Sequence, residues 1–419
     1  MAEPNNTNVY VVAGREESRV NDRVIKILSL RGYFRSVTLV TPGSKISDEE
    51  RLRVPPVVGL TGILRVLGLN GLKAKIDRYL YFPSLDIRFV WALRKPLLAR
   101  LKTDLEAGRE VCLVLTFPPH ALGRLACEVK ERLPQVRVVL DWQDLWSFDP
   151  NYAGRIPGFF QQRMQRWERE YIAAADLHLA TNKRAAEVLV EHYGASPEQV
   201  GHIEHHFHPL DLIAGEGTVP VATHQAPVRL AFMGTLDKPP RVPGRELLEV
   251  LGRVNKTKRH VELHVYGHIP VMTAGEREQA VDQGIVFHGL VSHEEATRAM
   301  LSYDVLVLLL ADMPNSRVVL SIKLPHYLLV DKPILAVVPG DSAIADVIAA
   351  TGAGYVIDSS KDARATWQSE LAAVLADEQR LRSLDVNRSQ AAVDTFHWDK
   401  IEPRWQAAIA GEQSVGESI

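Results

Sequence analysis

The amino-acid sequence predicts an α/β protein made of two Rossmann-like, doubly wound parallel sheets that face a central cleft. Short apolar, β-branched runs alternate with helical patterns along the chain. These runs fall into two sets, each of which begins afresh. A stretch without periodicity and rich in Gly, Pro, Thr and Ala, "DLIAGEGTVPVATHQAP" (211–227), separates the sets as a linker would.

The first set is "VYVVAG" (9–14), "SVTLVT" (36–41), "VCLVLT" (111–116), "VRVVLDW" (136–142) and "LHLATN" (177–182). The second is "VRLAFMG" (228–234), "VELHVYG" (261–267), "IVFHG" (285–289), "DVLVLLL" (304–310), "PILAVVP" (333–339) and "GYVID" (354–358). Continuous apolar runs of this kind suit parallel strands covered by helices on both faces. The expected organisation is an N-terminal domain over 1–210, the linker, and a C-terminal domain over 228–395. A helix over 396–419 then crosses back towards the first domain and ends in a frayed tail. Ligands of open α/β sheets bind beyond the carboxyl ends of the strands, so the residues that follow strands carry the functional information.

Composition narrows the partners. The 419 residues are 46% hydrophobic and 24% charged, with a net charge of −2, which suits a soluble globular protein and gives no support for a nucleic-acid binder. The two cysteines, Cys112 and Cys127, suggest a reducing compartment rather than a disulfide framework. The polar start "MAEPNNTNVYVVAG" reads straight into a strand and not as a secretory signal, so a cytoplasmic location is expected. Residues 57–82 are apolar but broken by Arg65, Lys73, Lys75 and Arg78. With "RFVWALRKPLLARLK" (88–102) they read either as a basic amphipathic surface, a peripheral membrane contact over 57–102, or as core-facing helices. Nothing in the sequence sets an oligomeric state.

After the first strand, Gly14 permits a tight turn, and Arg15, Arg19 and Arg23 punctuate the helix that follows. The spacing is not G-x-G-x-x-G, which removes the best support for dinucleotide chemistry. "TFPPHALG" places His120 at a strand-to-helix junction framed by two prolines, where an imidazole can act as a base or bond a ligand, or simply bond a carbonyl. "LDWQDLWSFDP" sets Asp141 and Asp144 beside two tryptophans, a combination suited to sugar hydroxyls and C–H faces, with helix capping by Asp144 the plainer alternative. "HIEHHFHP" (202–209) has four histidines but no metal-ligand spacing of the HExxH kind; it is expected to be a loop at the cleft, and no metal is assigned. In the second half, "FMGTLDKPPRVPG" offers Gly234 and Thr235 with Lys238 and Arg241 close behind, and amides with cations after a strand hold phosphate. Finally, "SIKLPHYLLVDKPILAVVP" puts Lys323 at a helix start, where the dipole opposes a cation unless an anion such as a diphosphate also binds.

Taken together these segments resemble the GT-B glycosyltransferases, and most nearly the family-4 nucleotide-sugar transferases of bacterial polysaccharide and glycolipid pathways. "LSIKLPHYLLVDKPILAV" is similar to that family's P-x-K-x-x-E-Y segment, "TFPPHALG" to its "sPPh", and "DWQDLW" to its "DfRDpW". "FPSLDIRFVWALRK", "REYIAAADLHLATN", "GTLDKPPR" and "IVFHGLVSHEEATRAMLSYDVLVLLL" extend the resemblance over nearly the whole chain. The resemblance implies that Lys323, with Lys238 or Arg241, stabilises a leaving diphosphate beside Gly234, Thr235 and Ser321. It also implies that the backbone at Leu290 and Val291 holds the base, and that His120 and Asp144 approach the sugar or acceptor. His326 stands where the family carries a ribose-binding glutamate, and Gln143 stands where it carries an arginine.

The expected activity is therefore transfer of a sugar, such as a hexosyl group, from a UDP- or GDP-sugar to a glycan, lipid-linked or small-molecule acceptor. Retention of configuration is implied by the family. No cofactor beyond the donor substrate is expected, and no metal. A non-catalytic sugar-nucleotide-binding partner and a sugar-nucleotide epimerase are the alternatives.

Overall fold

The computed structural model describes residues 5–14, 22–41, 87–147, 158–208, 227–236, 243–268, 272–313, 315–360 and 364–412. Segment 57–82, Arg15, Arg19, Lys238, Arg241, nearly all of the linker and the last seven residues lie outside this set. The chain divides into two compact units, residues 1–204 with 401–419, and residues 205–400.

The first unit holds a six-stranded parallel sheet: β1 (Asn5–Ala13), β2 (Phe34–Val40), β3 (Glu110–Phe117), β4 (Arg137–Trp142), β5 (Leu177–Ala180) and β6 (Val200–His202), in the order β2-β1-β3-β4-β5-β6. The chain reverses its direction of winding between β1 and β3, and that is where a doubly wound sheet opens to a ligand. The interior strands are apolar throughout because helices cover them; in β3, Val111 to Leu115 are at most 3% exposed. The sequence runs anticipate β1 to β5. β6 is an addition, because three residues reading "VGH" carry no apolar run.

Helix Ile87–Glu106 accounts for part of the segment read as a membrane contact. Its apolar stripe, Phe89, Val90, Leu93, Leu97 and Leu101, is buried within the first unit, while Trp91 is left exposed. No helix among the described residues is long and apolar enough to cross a membrane. The terminal helix Trp398–Ala410 is tied to the first unit by three contacts. Arg137 donates to the Ala408 carbonyl, Arg404 pairs with Glu204 at 2.6 Å, and Trp405 lies 4.9 Å from the Arg23 guanidinium.

The second unit repeats the design with β7 (Val228–Met233), β8 (Val261–Tyr266), β9 (Ile285–Gly289), β10 (Val305–Leu309), β11 (Ile334–Val338) and β12 (Gly354–Asp358), ordered β12-β11-β10-β7-β8-β9. Here the switch lies between β7 and β10. Successive residues of β7 feed opposite core layers. Leu230 and Phe232 join one cluster with Leu247, Leu251, Trp367 and Leu371, whereas Ala231 and Met233 join the other with Leu324, Tyr327 and Ile344.

Candidate functional site

In the second unit the site is built where β7 meets the helix Lys323–Leu329. Gly234, the first residue past β7, has φ +118°, a region that favours glycine. A Cβ there would stand 2.7 Å from Lys323 Nζ and 2.9 Å from its Cε. The lysine thus lies along the glycine, and its Nζ is 4.4 Å from the centre of the Phe232 ring. Gly267, past β8, closes the other side: its φ is +146°, and a Cβ would meet the Gly234 carbonyl at 2.1 Å.

The lysine helix is held from within. Tyr327 Oη accepts from Met233 N at 3.2 Å and donates to the Val307 carbonyl at 3.3 Å, so one hydroxyl links the helix to both strands of the switch point. Burial pushes this phenol well above its ordinary pKa, which keeps it neutral and able to donate. Ser321 Oγ faces Lys323 N at 3.4 Å, and Pro325 occupies the first turn, where a missing N–H costs no helical bond. Thr235 and Lys323 are half-buried, Leu290 is 69% exposed and Val291 half-buried. The chain turns after Val291 through a reciprocal cap. Ser292 Oγ accepts from Glu295 N at 3.1 Å, and Glu295 accepts from Ser292 N at 2.8 Å.

Gly234 and Lys323 therefore meet at the end of β7, Thr235 follows Gly234, and Ser321 faces the start of the lysine helix. Lys238 and Arg241 belong to the segment outside the described residues. His326 is buried, with Nδ1 3.1 Å from the Ile322 carbonyl one turn back.

The first unit carries the other nominated residues. At the switch point the turns after β1 and β3 touch: a Cβ on Gly14 would lie 2.1 Å from Pro119 Cγ. His120 follows, 5% exposed, with Nε2 2.9 Å from the Asp144 carbonyl and its ring stacked on Trp146 at 5.3 Å. His120 and the Asp144 backbone are thus neighbours, and Asp144 itself is half-buried.

Two local expectations need correction. Trp142 and Trp146 are fully buried and pack with Phe117, His120 and Tyr171, because β4 runs through the middle of the sheet; they are core, not open platforms for a sugar. Asp141 is buried as well, gripped by Arg23 through Nη2 to Oδ1 at 2.7 Å and Nε to both oxygens, with Gln143 donating to Oδ2 at 3.0 Å. Residues 203–206 of "HIEHHFHP" lie outside any helix or strand, and the stretch is held by contacts on either side. His205 and His206 are buried, His206 meets Trp398 at 4.7 Å, and the Phe207 backbone bonds Phe396 and Trp398. Burial pushes the Glu204 carboxyl up, but His202 and Arg404 outweigh it and hold it at about 2. Among the described residues no group of three or more His, Cys, Asp or Glu is arranged to hold a metal.

Sequence reasoning missed two residues that organise these sites. Arg23 looked like surface punctuation but is 1% exposed, and its Nη1 also donates to the carbonyls of Ile203 and Glu204. Glu168 is equally buried, accepting from Ser147 N at 2.7 Å and from Tyr193 Oη at 2.8 Å just beyond the Asp144 segment. Burial pushes its carboxyl up to about 7 against those two bonds.

No family model matches the sequence, and no curated protein sequence does. Solved structures do. The apo form of the lipopolysaccharide outer core galactosyltransferase WaaB superposes with a TM-score of 0.61 at 12% identity, covering 97% of this chain and 99% of WaaB. HepE from Anabaena, solved in complex with UDP and glucose, gives 0.60 at 10% identity over 96% and 99%. A putative UDP-N-acetylglucosamine 2-epimerase from Listeria monocytogenes gives 0.54 at 13% identity over 98% of each chain. At such identities the likeness establishes the fold, and the fold is that of the GT-B glycosyltransferases.

Proposed function

We propose that the protein is a glycosyltransferase that moves a sugar from a nucleoside diphosphate-sugar, with UDP favoured, to a hydroxyl acceptor. The observation that carries this reading is Lys323, an ammonium laid along Gly234 at the switch point of the second sheet. HepE, which shares the fold, was solved with UDP, and this favours UDP over GDP.

In the proposed reaction the bond from the anomeric carbon to the diphosphate breaks and its electron pair stays on the phosphate oxygen. Charge therefore grows on the leaving group, and Lys323, aided by Lys238 or Arg241, offsets it. With those cations assigned to the diphosphate, the proposal needs no metal. The acceptor hydroxyl attacks the sugar and gives its proton to the departing phosphate oxygen, with His120 and Asp144 proposed beside the sugar or acceptor. The transferred group is proposed to be a hexosyl unit, transferred with retention, and a lipid-linked acceptor would suit the exposed Trp91 on a helix rich in Arg and Lys.

Thermal-shift and calorimetric screening against UDP, GDP and their sugars tests the donor, since a bound ligand raises the melting temperature. Lys323→Ala should lower turnover by about 30-fold or more, equivalent to at least ~2 kcal/mol in the transition state. Near-normal turnover of that variant would remove Lys323 from the mechanism. The epimerase relative motivates a second reading. Incubation with a UDP-sugar alone separates the two: a changed sugar without acceptor favours epimerisation, and an unchanged one favours transfer. Donor binding with product only when a second protein is added would instead indicate a non-catalytic partner.

A further inference from the structure

The edge strand of the second sheet carries a polar cluster that the proposed reaction does not use. In the strand order β9 neighbours β8 alone, and His288 on β9 is exposed. His288 Nε2 lies 2.9 Å from Nδ1 of His264 on β8. Tyr303 Oη is 3.1 Å from the same Nδ1 and 2.7 Å from Tyr266 Oη. The Tyr266 ring lies flat against that of His288, with centroids 4.2 Å apart and planes at 3°, which limits how far the imidazole can turn. On the far side of His264, Nε2 is 3.7 Å from Glu262 Oε2.

We propose that His264 and His288 bind one divalent transition-metal ion of the Zn²⁺ class, with Glu262 as the carboxylate behind the ligands. Zinc–imidazole bonds of about 2.0–2.1 Å set two nitrogens on one ion about 2.9–3.4 Å apart, for bond angles of about 90–110°. The two rings already stand at that spacing. Coordination needs a lone pair on both nitrogens, so the hydrogen shared between the rings moves to a far nitrogen. For His264 that nitrogen is Nε2, the one that faces Glu262. A carboxylate behind a ligating imidazole fixes this tautomer and makes the ring a better ligand. Burial, and after it the neighbouring His288, push the His264 imidazole well below its ordinary pKa, and burial lowers His288 too. Both rings are therefore neutral near pH 7, the form that ligates. Tyr303 stays a phenol, because burial and its bond with Tyr266 push it above its ordinary pKa. It suits a metal-held water better than the ion itself. Two imidazoles are fewer than the three His, Cys, Asp or Glu ligands of a closed site, so water completes the shell. Imidazole selects Zn²⁺, Ni²⁺ or Cu²⁺ over Mg²⁺. The Arg229 guanidinium, 5.6 Å from the centre of the Tyr303 ring, is the nearby cation that opposes the ion. Once bound, the ion ties the edge strand to β8.

Calorimetry with zinc chloride on the full-length protein, with magnesium chloride as the control, tests this. The wild type should take up Zn²⁺, and His288→Ala should lose one equivalent of it. Glu262→Gln should bind that equivalent about 10–100-fold more weakly. Electron paramagnetic resonance of the wild type with one equivalent of Cu²⁺ should show coupling to at least two nitrogens, a result that depends on no variant. Zn²⁺ at about 100 times its dissociation constant should slow hydrogen exchange across β9 by up to about a hundredfold. Equal uptake by the wild type and His288→Ala, or coupling to fewer than two nitrogens, identifies an adventitious ion only and overturns the assignment. A wild type that binds no Zn²⁺ overturns it as well. Each of these outcomes leaves the transferase reading intact, because neither histidine is assigned to the donor or the acceptor.

Discussion

Replacing Asp141 with alanine removes the only carboxylate seen gripping the buried Arg23 guanidinium among the described residues. The pair is 1% and 0% exposed at its side chains, so neither charge is stabilised by water. After the substitution Arg23 would keep the carbonyls of Ile203 and Glu204 and the face of Trp405, but no counter-charge. Glu204 cannot step in readily, since its carboxylate is engaged by His202 and Arg404. Breaking a buried pair in this way costs about 3–5 kcal/mol, a large share of the roughly 5–15 kcal/mol that holds a domain folded. Hydrogen exchange read by mass spectrometry is the appropriate assay, because two compact units need not unfold in a single transition. Peptides covering Arg137–Trp142 and 200–204 should exchange about a hundredfold to several thousandfold faster, while those covering β7 to β12 stay near wild type. An effect below about fivefold at β4, or an equal effect in the second unit, would refute the reasoning that this pair carries an uncompensated charge when broken.

Other perturbations address the sites directly. Gly234→Ala places a methyl group 2.7 Å from Lys323 Nζ on a backbone that favours glycine, so donor affinity should fall with the lysine displaced, as calorimetry with UDP would show. Tyr327→Phe removes one accepted and one donated bond in the core; a loss of about 1–3 kcal/mol in the second unit is expected by urea denaturation, with a smaller change in the first. Glu168 gives a pH signature. Its folded-state pKa, about 7, lies above the ordinary 4.5, so the folded state holds a proton that the unfolded chain has released between those values. Its destabilising contribution is therefore full above about pH 7 and vanishes below about 4.5, so stability of the first unit should rise by at most about 3 kcal/mol as pH falls through that window. Glu168→Gln should abolish that slope, and a slope unchanged in the variant would assign it elsewhere.

The fold was legible because covered parallel strands must be apolar along their whole length, and "VCLVLT" or "DVLVLLL" can hardly be anything else. β6 escaped notice for the same reason, since "VGH" carries no such run. The meeting of Gly234 and Lys323 was legible in part. A glycine after one strand and a lysine at a helix start were nominated separately, and the β7-β10 switch joins them across the sequence. Burial of charge was not legible. Arg23 and Asp141 lie 118 positions apart, and nothing local distinguishes an arginine that pairs in the core from one on a wet helix. His326 shows a related limit: the sequence gives its position but not that its ring turns inward to Ile322 and leaves His293 outside.

The close fit of Lys323 to Gly234 has a consequence for related sequences. An alkyl-ammonium chain and a bare α-carbon occupy adjoining space, so any side chain at 234 would need the lysine stem. The two positions should therefore change as a unit. A chain with this fold that keeps the lysine but replaces the glycine would have to re-route its cation, whereas one that loses both could retain the sheets without this contact. Replacing residues 234 and 323 together is then the smallest edit that would remove this contact and leave the sheets in place.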